Sequence, residues 1–199
     1  MIMMPASQRR QTTRLKSSSN TMLLPQTLSS ATLYKGKIFD LRVDDIREGD
    51  IEYKREIVVH KGSAVIVPIF DDGTVALVRQ YRHAAGKFLL ELPAGSLEIG
   101  EDALVGAIRE LEEEVGVIAG RVEKLTEFYV SPGFVTEKMH LFLATQLTET
   151  EQKLDGDEII EIERIVLSRA LDMIDSGLIE DAKTIIGLTL SATKLAARI

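Results

Sequence analysis

Residues Gly95 to Val117 read GSLEIGEDALVGAIRELEEEVGV, and no other stretch restricts so tightly what this chain can become. The pattern is G-x5-E-x7-R-E-L-x-E-E-x-G-V, a glycine-bearing loop leading into a helix. Leu104, Ile108, Leu111 and Val115 recur at intervals of four, three and four, which places them on one helical stripe and predicts that they face a core. Asp102 stands where a helix N-terminus favours negative charge, and Gly116 can end the helix in a left-handed conformation. At about 100° per residue, Glu110, Glu113 and Glu114 share a second face, and Glu112 points away from it. Arg109 precedes Glu113 by four residues, within reach of an ion pair.

Carboxylates crowded on one face repel one another unless a cation neutralises them, and oxygen-only ligands suit Mg2+ or Mn2+ rather than zinc. A generic Glu-rich helix is a solvated acidic face, but such a face does not require glycines, Glu101 and Arg109 at set offsets. The segment resembles the Nudix box, the signature of hydrolases that cleave nucleoside diphosphates linked to another moiety. The resemblance implies an α+β Nudix fold, a mixed β-sheet sandwiched between helices, with the box as loop, helix and loop. It implies Glu110 and Glu114 as principal metal ligands, Glu113 contributing directly or through water, and the Ala94 carbonyl as a further ligand. Gly95, Glu101 and Arg109 then brace the box.

Around the box the chain reads as strands. LYKGKIFDLRVDDIR and IEYKREIVVH flank the turn-like Glu48-Gly49-Asp50 and predict an N-terminal β-hairpin or meander. Residues 63–70 and 74–81 are β-branched and apolar, and Asp71-Asp72-Gly73 between them predicts a hairpin turn. Further strands are expected over 87–95, 124–130, 139–147 and 158–167, with a short helix stopped at Gly177 and another over 181–197. The expected organisation is a tail over 1–30, a dimerising β-region over 31–60 and the hydrolase domain over 61–199.

The tail is basic and Ser/Thr-rich: the first 36 residues hold Arg9, Arg10, Arg14, Lys16 and Lys35 but no Asp or Glu. It reads as an unstructured extension of a cytoplasmic protein, or as a plastid or mitochondrial transit peptide. With a net charge of −7, the chain is a poor nucleic-acid binder, and with no run of about 18 apolar residues it is not expected to span a membrane. It has no cysteine, which excludes disulfides and thiolate metal sites.

The box does not name a substrate; segments outside it carry that signal by resemblance to the ADP-ribose pyrophosphatase subgroup. Pro132 lies 15 residues after Val117, in SPGFVTEKMHLFLA, which resembles that subgroup's loop and implies roles for Pro132, Gly133, Phe134 and Glu137. Arg55 and Glu56 sit in a strand resembling one whose Arg and Glu help bind the nucleotide, with the pair acting across a homodimer interface. Arg79-Gln80-Tyr81-Arg82 resembles the strand that contacts the diphosphate, with Arg82 as first choice and Arg79 as substitute; a guanidinium grips phosphate oxygens in a bidentate way. By similarity to the subgroup's acidic loop, Glu158 is the expected general base and Glu161 the second choice. The expected reaction is Mg2+-dependent hydrolysis of ADP-ribose or a related ADP-sugar to AMP and a sugar phosphate. ADP-glucose or GDP-mannose are the alternative substrates, and non-catalytic ADP-ribose binding is the alternative role.

Overall fold

A computed structural model describes residues 24–154, 156 and 159–197. Three antiparallel strands open it: β1 (Gln26–Lys35), β2 (Phe39–Glu48) and β3 (Ile51–His60), in the order β1-β2-β3. The turn at Glu48-Gly49-Asp50 is where the sequence put it, with Glu48 paired to Ile51. β1 begins inside the segment expected to be an unstructured tail, so that boundary moves back to Gln26. All ten residues of β1 are exposed, including Leu28, Leu33 and Tyr34.

The central layer is built on β4 (Ser63–Pro68), whose residues are all buried. In β4 successive side chains alternate between two cores, because strand neighbours point to opposite faces. Val65 and Val67 pack with Leu141, Leu143, Ile179 and Leu188. Ala64 and Ile66 pack with Ala107, Leu111, Val115 and Phe142. Helices cover both faces, which explains why SAVIVP is apolar without alternation. α1 (Ala103–Glu110) lies on one side; α2 (Leu167–Asp175) and α3 (Ala182–Ala196) lie on the other.

Two sheets share this middle layer. One has the order β7-β4-β9-β8, with β7 (Ala94–Ser96), β8 (Val117–Tyr129) and β9 (Lys138–Glu149); β4 and β9 are parallel and the other pairs antiparallel. The other has the order β10-β5-β6, with β5 (Thr74–Arg82), β6 (Lys87–Glu91) and β10 (Ile160–Val166). The arrangement is the expected α+β sandwich with a mixed sheet. One local reading fails. Asp71-Asp72-Gly73 does form a turn, with Gly73 donating to the Phe70 carbonyl at 2.9 Å, but β4 and β5 are not a hairpin. They share one isolated bridge, Ile69 to Val75, and then part into different sheets. The turn chemistry is local, whereas partner choice is decided by β7, β9, β6 and β10, which arrive from elsewhere in the chain.

The helix differs from its periodicity as well. Leu104 and Ile108 are 39% and 40% exposed, while Ala107 and Leu111 are fully buried. The docking face therefore runs through Gly106, Ala107, Glu110 and Leu111. Small residues let the helix lie close on β4, and this rotates the larger Leu104 and Ile108 outward. Burying Leu111 contributes on the order of 1.5–3 kcal/mol. After Glu110 the helix widens into a π-helical turn over Leu111–Val115, so 100° spacing does not hold through the acidic run. The ends follow the sequence. Asp102 caps the N-terminus by accepting from the Leu104 and Val105 amides, and Gly116 closes the C-terminus at φ 68° and ψ 42°.

Candidate active site

The box is held by an arginine and a close backbone approach. Gly95 in β7 lies so near Glu110 that a Cβ there would fall 1.9 Å from Oε1, so only glycine fits. One residue earlier, the Ala94 amide donates to Glu114 Oε2 at 3.0 Å. Glu110 and Glu114 are 7% and 2% exposed, at the seam where the α1 core meets the cavity. Arg109 spans the carboxylates. It donates to Glu101 Oε1 and Oε2 at 3.1 and 3.3 Å, and its Nη1 reaches Glu110 Oε1 at 2.6 Å and Glu113 Oε2 at 2.9 Å. Hydrogen bonding from Arg109, then from the Glu98 amide, holds the Glu101 carboxyl below its ordinary pKa, while its carboxylate partners raise that of Arg109. Glu101 and Arg109 thus brace loop and helix as expected. Glu112 pairs outside the site with Lys153 at 2.8 Å.

These residues wall a cavity of about 670 Å³. Glu110, Glu113, Arg109 and Gly95 form one side, Tyr81 and Arg82 of β5 another, and Lys37 and Ile38 of the β1–β2 turn close a third. Carboxylates thus stand in one space with cationic and aromatic side chains. The donor set is all oxygen, namely Glu110, Glu113, Glu114 and the Ala94 carbonyl, and suits a hard divalent cation. Among the described residues no three acidic or histidine side chains converge as a ready-made metal cluster. Arg109 already engages Glu110 and Glu113. The residues fit the cation chemically, and the arginine is the counter-charge that holds them together without one.

The other expected residues divide. Arg82 does line the cavity, but its Nε and Nη2 bind Glu91 Oε1 and Oε2 at 2.7 and 2.8 Å. Arg79 does not face the cavity; it pairs with Glu163 at 2.5 Å. Glu161 lies opposite Arg79 in the β5–β10 register and shares its face, so it too is turned from the cavity. Glu158 lies outside the described residues. Arg55, Pro132, Gly133 and Phe134 come together in a separate cleft of about 290 Å³. β3 clamps that loop, with Val58 donating to the Phe134 carbonyl at 2.8 Å and accepting from the Thr136 amide at 3.0 Å. Glu56 is exposed on β3. Glu137 accepts from Ser63 Oγ at 2.6 Å and lies 3.7 Å from His60 Nδ1, tying the loop to the start of β4.

Sequence reasoning missed Lys37, Glu91 and Lys183. Lys37 follows a turn glycine and carries no periodic or spacing signal. Glu91 is 1% exposed and bound by both Arg82 and Lys183, a contact spanning 92 residues. Burial pushes the Glu91 carboxyl up, but the hydrogen bond from Arg82 and the charge of Lys183 outweigh it and leave it lowered.

Comparison with known proteins agrees with this geometry. The NUDIX domain matches residues 60–185. The chain is 40% identical over 162 residues to an ADP-ribose pyrophosphatase of Bacillus subtilis, covering 80% of this chain and 88% of that protein. It is 38% identical over 167 residues to a methanol dehydrogenase activator of Bacillus methanolicus, covering 82% and 90%. A crystal structure of an ADP compounds hydrolase superposes with a TM-score of 0.80 at 23% identity, over 90% of this chain and 98% of that one, and so shares the fold. With the box complete and more than half the length matched, the chain belongs to the Nudix hydrolase family.

Proposed function

We propose that the protein hydrolyses the diphosphate bond of ADP-ribose or a related ADP-sugar, releasing AMP and a sugar phosphate, with Mg2+ or Mn2+ as cofactor. The observation that carries this reading is the shared cavity, in which Glu110 and Glu113 stand in one space with Arg82, Lys37 and Tyr81. The Bacillus subtilis relative's name supports ADP-ribose as substrate. Glu110, Glu113, Glu114 and the Ala94 carbonyl are the cation's ligands in this reading. A divalent cation held there neutralises diphosphate oxygens and lowers the pKa of a bound water.

The chain's own residues supply the rest. Arg82 and Lys37 grip phosphate oxygens from the wall shared with the box. Tyr81 is 51% exposed, with its ring braced edge-on by Phe88 at 5.3 Å between centroids, and offers a flat surface for the nucleobase. Glu158 accepts the water's proton, on a segment that closes over the site when substrate arrives. A complete set of box acids favours catalysis over binding alone. The protein acts as a homodimer in this reading. A second copy covers β1 and brings the Arg55–Phe134 cleft to its partner's cavity, and gel filtration giving a monomer removes that element.

Purified protein with Mg2+ is offered ADP-ribose, ADP-glucose, GDP-mannose, NADH and diadenosine polyphosphates. Faster turnover of an ADP-sugar is the expected result. Equal rates across the panel, or none with ADP-sugars, overturns the assignment.

A further inference from the structure

Arg82 owes its place in the cavity wall to a carboxylate that solvent barely touches. Glu91 sits on β6, opposite Val78 of β5, and is 1% exposed. An unpaired carboxylate there costs several kcal/mol of desolvation. Arg82 takes both its oxygens from the cavity side through Nε and Nη2, and Nη1 takes part in neither bond. From the opposite side Lys183 of α3 donates to the same Oε2. Lys183 is itself buried, its side chain 7% exposed, and Nζ lies 3.1 Å from Asp181. Two cations and two anions balance in this network.

The network is sewn to the backbone beside the box. Asp181 caps α3 by accepting from the Thr184 amide at 3.0 Å and the Thr184 hydroxyl at 2.6 Å. Thr184 Oγ1, fully buried, accepts from the Leu92 amide at 2.8 Å. Asp181-Ala182-Lys183-Thr184 therefore grips Glu91 and Leu92, just ahead of Ala94 and Gly95.

We propose that Lys183 is a positioning residue for substrate binding: it anchors Glu91 from the α3 side, so that Arg82 is held with Nη1 toward the cavity. Lys183 touches no substrate; it acts through Glu91 on Arg82. Without it, Glu91 has a single cationic partner, on the solvent side, and the Glu91–Arg82 pair can swing outward. A lysine that only joins α3 to the sheet affects stability without affecting Arg82, and that difference is measurable.

The kinetic test rests on the nucleotide-sugar reading above and uses the full-length protein. Lys183→Met is expected to raise KM about 10-fold with kcat changed less than about threefold, and Lys183→Arg to restore most of the loss. Arg82→Gln raises KM similarly, and the double variant Arg82→Gln/Lys183→Met is no worse than Arg82→Gln alone, because residues acting through one network are not additive. Additive effects in the double variant, or an unchanged KM with a lowered Tm, overturn the proposal. A second readout needs no turnover. The Arg82 Nε–H proton, assigned by its loss in Arg82→Lys, exchanges slowly with water in the wild type and faster in Lys183→Met or Lys183→Gln; equal exchange overturns the proposal. A wild type inactive on every nucleotide sugar overturns the functional reading and leaves this proton to decide the role of Lys183.

Discussion

Gly95→Ala tests the tightest contact in the site. The added methyl would stand 1.9 Å from Glu110 Oε1 and 2.2 Å from its Cδ, where non-bonded carbons settle at about 3.5–4.0 Å. Gly95 has no positive φ, so alanine brings no backbone strain and the collision must be relieved by the Glu110 side chain. That carboxylate is 7% exposed and bonded to Arg109 Nη1 at 2.6 Å, so moving it breaks a charge-assisted bond. Such a bond is worth about 1.5–3 kcal/mol and overpacking costs about 1–3 kcal/mol. The two overlap, since relieving one causes the other, and about 2–3 kcal/mol in total is expected. For a chain of this size each kcal/mol lowers Tm by about 2–4 °C, so calorimetry should show a fall of about 4–12 °C. Displacing a ligand from its support also weakens metal binding, by about 10–100-fold, and the rise in Tm on adding Mg2+ should shrink accordingly. An unchanged Tm with a wild-type response to Mg2+ would refute the placement of Glu110 against Gly95.

Three further outcomes follow from the geometry. Glu114→Gln should lose most activity yet remain folded, as measured by turnover and circular dichroism, because the amide oxygen can still accept from Ala94. Asp102→Ala should destabilise by about 1 kcal/mol in urea unfolding, because the Leu104 and Val105 amides lose their cap. The Glu101 carboxyl is lowered from 4.5, so the stability it contributes is present above that pH and is lost as pH falls below it. Arg109→Met should flatten this acid limb in melting curves recorded from neutral pH downward, and an unaltered limb would assign it to other groups.

What the sequence made legible was chiefly what neighbours along the chain decide. Asp102 and Gly116 end the helix by local hydrogen bonding and backbone freedom, and both act where the pattern put them. The apolar run of β4 was readable as a strand, but not as one that leaves its turn partner for β7 and β9. Leu104 and Ile108 have the right spacing for a core stripe, yet Ala107 sets the docking face, because closeness rather than bulk decides which side of α1 meets the sheet. Composition likewise invited a solvated reading of Glu110 and Glu114, which are buried. The clasp of Glu91 by Lys183 spans 92 residues and leaves no periodic trace. Arg55 and Pro132, by contrast, were read separately and do meet, although in a cleft apart from the box.

The π-helical turn over Leu111–Val115 gives the length of the box a mechanical meaning. Such a turn accommodates one residue more than an α-turn. Deleting one residue there would restore regular winding, but everything beyond would be re-phased by about 100°. Glu114 would leave the Ala94 amide, and Gly116 would reach the wrong end of β8. The interval from Arg109 to Gly116 is therefore a ruler: its side chains can be exchanged at a graded cost, but its residue count has no neighbouring solution. A library of single-residue deletions and insertions across 110–116 should yield far fewer active members than a substitution library over the same span.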